Sequence, residues 1–295
     1  MENGMSKIFT RTYRARYSDI NADGQLAPSD YARYIVDTAY DWGETQGLGN
    51  KASEELGLYW IVRETEIQFL GSLHFQDEFD FTIWMLDWKR VRGTRAFVVK
   101  HKNKGITIAQ GVQQIACMDS KTQRPVSPPE DLMNNFRLDM PQVIPSQRFP
   151  KISILPEKSP TFQHKVAWQD LDTLDMVNNC VYIAYAEEAV TQLFALFGWS
   201  PIELKTHGLA RSVRRLHIQY HMPAVWGDTL NVTIFTLKLD DMGGSLFVGM
   251  SRSSDGAVIA NCILDWGLID RGRTEAHALP ETLVNALKNT MEQID

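Results

Sequence analysis

Apolar and polar residues alternate along four stretches of the first half of the chain, Thr65–Phe69, Phe79–Leu86, Arg95–Lys100 and Ile106–Met118, and a period of two predicts β-strands. Four stretches of the second half read the same way: Leu216–Tyr220, Leu230–Lys238, Leu246–Ser251 and Ala257–Ile269. Ahead of each set lies a segment of helical periodicity, about Ser29–Glu44 and about Asn179–Phe197. Small and aromatic residues cover most faces of both helices (Tyr31, Tyr34, Ile35, Trp42; Tyr182, Tyr185, Ala186, Leu193), more than a half-exposed helix needs. Such a helix is expected to be wrapped by another element. A short strand (Thr12–Tyr17; Lys165–Trp168) and an Asp-rich turn are expected before each helix, and Asn178-Asn179 closes the second turn with a residue type that caps helix starts. Gly105 and Gly256 sit where hairpin turns belong.

The two halves are copies. Residues about 13–132 overlie residues about 164–283 without a gap, so that Asp19 falls on Asp170, Tyr34 on Tyr185, Gln68 on Gln219, Asp77 on Asp228, Gly105 on Gly256 and Asp119 on Asp270. Each of these pairs differs by 151 positions, and a register held over so long a span is poorly explained by chance. The domains expected are 7–124 and 161–284, joined by a linker over 125–160 that holds eight of the twelve prolines (Pro125, Pro128, Pro129, Pro141, Pro145, Pro150, Pro156, Pro160). A long helix followed by an antiparallel sheet curling around it is the hot-dog arrangement. The fold class expected is therefore α+β, a tandem (double) hot-dog in which each copy wraps a curved antiparallel sheet around a long central helix.

Composition narrows the function classes. With 44% apolar residues and no run of about eighteen of them, the chain reads as globular, with no membrane span expected. A net charge of −6 argues against bulk nucleic-acid binding, which needs an excess of Lys and Arg on one face. Cys117, Cys180 and Cys262 are too widely spaced for a disulfide framework or a metal motif, and the N-terminus lacks a signal-length apolar run, so a cytoplasmic setting is expected, with neither metal nor cofactor.

The segment Trp168–Ala189, WQDLDTLDMVNNCVYIAYAEEA, resembles the acyl-acyl-carrier-protein (acyl-ACP) thioesterases and, more broadly, the 4-hydroxybenzoyl-CoA thioesterase superfamily. Asp170, Asp172, Val177, Asn178, Asn179, Tyr182 and Glu188 match the family pattern of an Asp-rich turn, a His, a Val-Asn-Asn and a Tyr-bearing helix. Ile218–Val232 is similar to the strand-turn-strand of the same enzymes, ending in Gly227-Asp228. The sequence also departs from the plant enzymes: Leu174 stands at their Asn position, Met176 at their His and Pro223 at their Glu, so of four polar catalytic groups only Asp172 matches.

What the resemblance implies is thioester hydrolysis by one carboxylate plus backbone N–H groups at a helix start. A thioester carbonyl needs a base or nucleophile and donors aimed at its developing negative charge. Asp172 stands in the matching place, just ahead of a helix start whose dipole and free amides suit an oxyanion. The catalytic candidates are thus Asp172, Asn178 and Asn179, and the candidate substrate contacts are Leu174, Met176, Tyr182 and Trp60, with Trp84, Trp88 and Phe97 as further lining. Each has a structural alternative. Asp172, like Asp170 and Asp175, can simply order the turn, Asn178 can be a helix cap, and the aromatic residues can be plain core. Glu187 and Glu188 fit an exposed helix face, and His217 and His221 fit structural roles in or beside a strand.

The first copy carries Asn21 opposite Asp172 and Gln25 opposite Met176, which makes it the specificity or scaffolding half. Two basic clusters, Lys89-Arg90 with Arg92 and Arg95, and Arg211 with Arg214 and Arg215, are candidates for an acidic carrier protein. The expected partners are an acyl-ACP or acyl-CoA substrate and a second copy of the chain in a homodimer. A non-hydrolytic acyl-binding protein is the alternative, and a hydratase or dehydratase ranks last because the turn lacks a His paired with an acid.

Overall fold

The computed structural model describes residues 7–130, 133, 147–152, 159–271 and 275–291, without the side chains of Asn50 and Ala52. Pro141, Pro145 and Pro156 of the Pro-rich stretch lie outside the described residues. The chain divides into two compact units, with the division between Gln147 and Arg148.

The N-terminal unit begins with β1 (Ile8–Arg14), followed by α1 (Pro28–Thr45), a short α2 (Asn50–Leu56), and β2 (Leu58–Phe69), β3 (Glu78–Lys89), β4 (Arg92–His101) and β5 (Thr107–Asp119). Its sheet is antiparallel in the order β1-β3-β4-β5-β2. The C-terminal unit has β6 (Thr161–Lys165), α3 (Asn179–Leu196), α4 (Pro201–Thr206), β7 (Leu209–Tyr220), β8 (Thr229–Asp240), β9 (Gly243–Arg252), β10 (Val258–Asp270), a two-residue β11 (Ala276–His277) and α5 (Glu281–Lys288). Its order is β7-β10-β9-β8-β6, with β11 on β10.

The repeat holds to the residue. Adding 151 to the bounds of α1, β2, β3, β4 and β5 returns the bounds of α3, β7, β8, β9 and β10. Irregularities recur too: the bulge between Val62 and Glu64 has its partner at Val213–Arg215, and the one between Met85 and Asp87 at Thr236–Lys238. A bulge bends its strand, and these paired bends curl each sheet around its helix.

One face of each sheet packs on that helix. In the N-terminal unit Tyr34, Ile35 and Trp42 of α1 join Ile67, Phe79, Phe81, Phe97 and Ile115 in one core cluster. In the C-terminal unit α3 is buried along much of its length, from Cys180 to Phe194, and Phe194 meets Trp266 edge to face at 4.8 Å. Each unit is therefore a hot-dog, a long helix wrapped by a curved antiparallel sheet.

Both leading strands differ from expectation, lying at Ile8–Arg14 and Thr161–Lys165 rather than Thr12–Tyr17 and Lys165–Trp168. The cause is local. Asp19 accepts a bond from the Arg16 N–H and Asp170 one from the Ala167 N–H at 2.8 Å, which winds Tyr17–Asp19 and Trp168–Asp170 into single 3₁₀ turns and ends the ladder early. Gly105 and Gly256 do sit in turns, at φ 68° and 72°, where a side chain would be strained.

Candidate active site

The turn ahead of α3 is built by backbone bonds around Asp172. Its N–H donates to the Met176 carbonyl at 2.8 Å, its own carbonyl accepts from the Asp175 N–H at 3.1 Å, and its Oδ1 accepts from the Leu174 N–H at 2.9 Å. The first copy makes the same turn with a neutral residue. Asn21 donates to the Gln25 carbonyl, accepts from the Gly24 N–H, and offers Oδ1 to the N–H groups of Asp23 and Gln25. Even the left-handed residue is matched, Asp175 at φ 57° standing opposite Gly24 at φ 80°.

Asp172 is half-buried, and burial pushes its carboxyl above the ordinary range. Bonds from the Leu174 and Met176 N–H groups oppose that rise, and the neighbouring charge of Asp175 adds to it. A carboxyl raised in this way holds its proton more readily when it takes one from water.

The helix start lies six residues on. Asn178 is a true N-cap, its Oδ1 accepting from the Cys180 N–H at 3.2 Å, while its own N–H donates to the Asp170 carbonyl at 2.9 Å. Asn179 is the first helical residue, so its N–H has no acceptor within the helix. Its carbonyl is held by the Tyr220 hydroxyl at 3.0 Å. One turn later the Tyr182 hydroxyl accepts from the Ala224 N–H at 2.9 Å and keeps its own proton free to donate. Burial pushes that phenol up to about 12, with the charge of Asp172 adding to the effect.

The structure thus brings Asp172, Met176, Asn178, Asn179 and Tyr182 to one turn–helix junction. Leu174 is at the exposed tip of the turn. Trp60 belongs to the N-terminal unit, half-buried on β2 and edge-on to Trp88 at 5.4 Å. Phe97 and Trp84 are on opposite faces of that unit's sheet, Phe97 in the cluster with α1 and Trp84 with Ala96 and Val112. Asp170 is tied to Tyr185, whose hydroxyl donates to it at 2.6 Å, and Asp19 is tied to Tyr34 in the same way. Glu188 is exposed and accepts from Gln192; Glu187 is half-buried.

Each basic cluster is divided, with Lys89, Arg90, Arg92 and Arg214 exposed and Arg95, Arg211 and Arg215 half-buried. Arg95 turns inward to Gln113, Lys89 pairs with Asp87 at 3.1 Å, Arg211 bonds Thr191 at 3.1 Å and Arg215 pairs with Asp265 at 3.5 Å. Strand alternation separates these cations, since neighbouring residues point to opposite faces. Sequence reading missed Tyr220, Ala224 and the pair Asp228–Arg252, 2.9 Å apart, whose arginine also bonds the Pro223 carbonyl at 2.8 Å. Asp228 carried a signal, its identity with Asp77 across the repeat.

The protein is thus a tandem pair of hot-dog units, with a carboxylate ahead of the capped start of α3. The chain belongs to the thioesterase-like superfamily, whose model matches residues 15–136 and again 166–287. It is 28% identical over 137 residues to the long-chain acyl-CoA thioesterase FadM of Escherichia coli, spanning 44% of this chain and 98% of that protein. Two solved structures share the tandem fold: an acyl-ACP thioesterase from Bacteroides thetaiotaomicron (19% identity, TM-score 0.71, 88% of this chain and 98% of that one) and the 12:0-ACP thioesterase of Umbellularia californica (17%, 0.72, 88% and 97%).

Proposed function

We propose that the chain hydrolyses fatty acyl thioesters, carried on acyl carrier protein or coenzyme A, at the junction of the Asp172 turn and α3. The observation that carries this reading is the comparison of the two copies. Asn21 builds the same turn without a charge, so the charge of Asp172, half-buried and costly, is not required by the turn. In this reading Asp172 takes a proton from a water molecule as its oxygen attacks the thioester carbon. The N–H groups at the start of α3, with Asn179 foremost and Asn178 fixing their direction, hold the oxyanion. The tetrahedral adduct then expels the thiolate, which takes the proton back from Asp172, leaving a carboxylic acid and a thiol.

Met176 and Tyr182 border the reacting centre in this scheme. The hydrolytic activities named for FadM and the two acyl-ACP thioesterases support the reaction class. A reducing cytoplasm suits three buried thiols. A second reading, acyl binding without turnover, is favoured by Leu174, Met176 and Pro223, which put apolar residues where the plant enzymes have polar ones. Hydrolysis assays on acyl-ACP and acyl-CoA of several chain lengths, with wild type and Asp172→Ala, separate the two. Turnover lost in the variant supports the first, and tight acyl binding with no turnover in wild type supports the second.

A further inference from the structure

A row of side chains crosses the N-terminal sheet in direct register: Met85 lies opposite Arg95, Arg95 opposite Gln113, and Gln113 opposite Thr65. The residues two positions along the same strands, Ile67, Phe97 and Ile115, pack with α1, so the row lies on the helix-facing side of the sheet. Three of its four members are polar and one is a cation. The Gln113 amide donates to Thr65 Oγ1 at 2.9 Å, and its carbonyl oxygen accepts from Arg95 Nε at 2.8 Å and from Arg95 Nη2. The matching row of the C-terminal sheet is Thr236, Leu246, Leu264 and Leu216, and its three leucines are buried. The fold therefore packs this place with leucine, and the polar version is a departure that the architecture does not demand.

Burying a guanidinium is costly unless something compensates it. Among the described residues no carboxylate faces Arg95. Its hydrogen-bond partner is an uncharged amide, and Tyr40 is the ionisable side chain within electrostatic reach. Burial lowers Arg95 to about 10, which leaves it cationic at neutral pH. Thr65 and Gln113 are closed off at 1% and 2% exposure, while Arg95 keeps accessible surface. A guanidinium has five N–H donors in a planar fork that fits a carboxylate, and Gln113 occupies two of them.

We propose that the N-terminal unit binds the carboxylate of a fatty acid or fatty acyl group, with Arg95 pairing the anion and Gln113 and Thr65 fixing the guanidinium. The fatty character of the ligand rests on the acyl-thioester reading, whereas the pairing of a carboxylate by Arg95 rests on the row itself. The carboxylate has two possible sources, a free fatty acid or the distal carboxyl of a dicarboxylic acyl group.

The test is titration calorimetry of the full chain with dodecanoate and with dodecan-1-ol. Wild type and Asp172→Asn should prefer the acid by about tenfold to a hundredfold, the scale of a hydrogen-bonded charge pair. Arg95→Leu should lose that preference. So should the triple variant Thr65→Leu, Arg95→Leu, Gln113→Leu, which copies the C-terminal row and leaves no orphaned polar group. Equal binding of acid and alcohol by wild type, binding of neither, or an acid preference that persists in the triple variant overturns the proposal. Where hydrolysis is present, inhibition of dodecanoyl-CoA turnover by dodecanoate in wild type but not in the triple variant identifies the free acid. A higher kcat/KM on the mono-CoA thioester of dodecanedioic acid, again lost in the triple variant, identifies the distal carboxyl.

Discussion

Asp172 and Asn21 occupy one backbone geometry with two chemistries, and the comparison separates what a turn needs from what a reaction needs. Because burial raises the Asp172 carboxyl, its ionised form costs the folded state stability, and that cost fades as pH falls and the group takes up a proton. Asp172→Asn should therefore keep the turn and gain about 1 kcal/mol at neutral pH. The gain, read by thermal unfolding across a pH series, should shrink towards acid pH. A loss of stability at pH 7 would show that the charge itself supports the turn. Asp175 offers a finer probe, since its charge helps to raise Asp172. Asp175→Asn should lower the Asp172 pKa and move the acid limb of the kcat/KM profile to lower pH, and an unmoved limb would take Asp172 out of that limb.

The turn and helix start are held by contacts of unequal value. Asn178→Ala removes the cap of α3 and should cost about 1 kcal/mol in urea unfolding. Tyr185→Phe leaves the Asp170 carboxylate without its 2.6 Å donor and should cost about 1–3 kcal/mol, and Tyr34→Phe should do the same to Asp19 in the first copy. Changes below about 0.5 kcal/mol would mean that water replaces these donors. Both pairs could be read from the sequence, because Asp and Tyr recur fifteen residues apart in each copy. The helices were also readable, nearly to their ends, since burial on most faces leaves a strong pattern. The leading strands were less so: β1 has no fully buried residue, and only Phe9 and Tyr13 pack on the core, four positions apart, which leaves no strict alternation to mark its limits. The short helices α2, α4 and α5 were not found, since six to eight residues give the helical period little room to show.

Taken together, the two copies share the bounds of the long helix and the four long strands and differ in where polar atoms lie within the sheet. The C-terminal copy has the acid ahead of its helix and three leucines in its sheet row; the N-terminal copy has Asn21 in place of the acid and Arg95, Gln113 and Thr65 in place of the leucines. The repeat and its register could be read from the sequence because the 151-residue offset needs no structure to see. The polar row could not, because strand pairing alone brings residues 65, 95 and 113 side by side. The proposed hydrolysis puts the chemistry in the second copy. Hydrolysis of acyl-CoA and acyl-ACP by wild type, Asp172→Asn and Asn21→Asp decides it. The account predicts a fall of about 10²-fold or more in kcat for Asp172→Asn with folding intact, and little change for Asn21→Asp. An Asp172→Asn enzyme that turns over at the wild-type rate would contradict it.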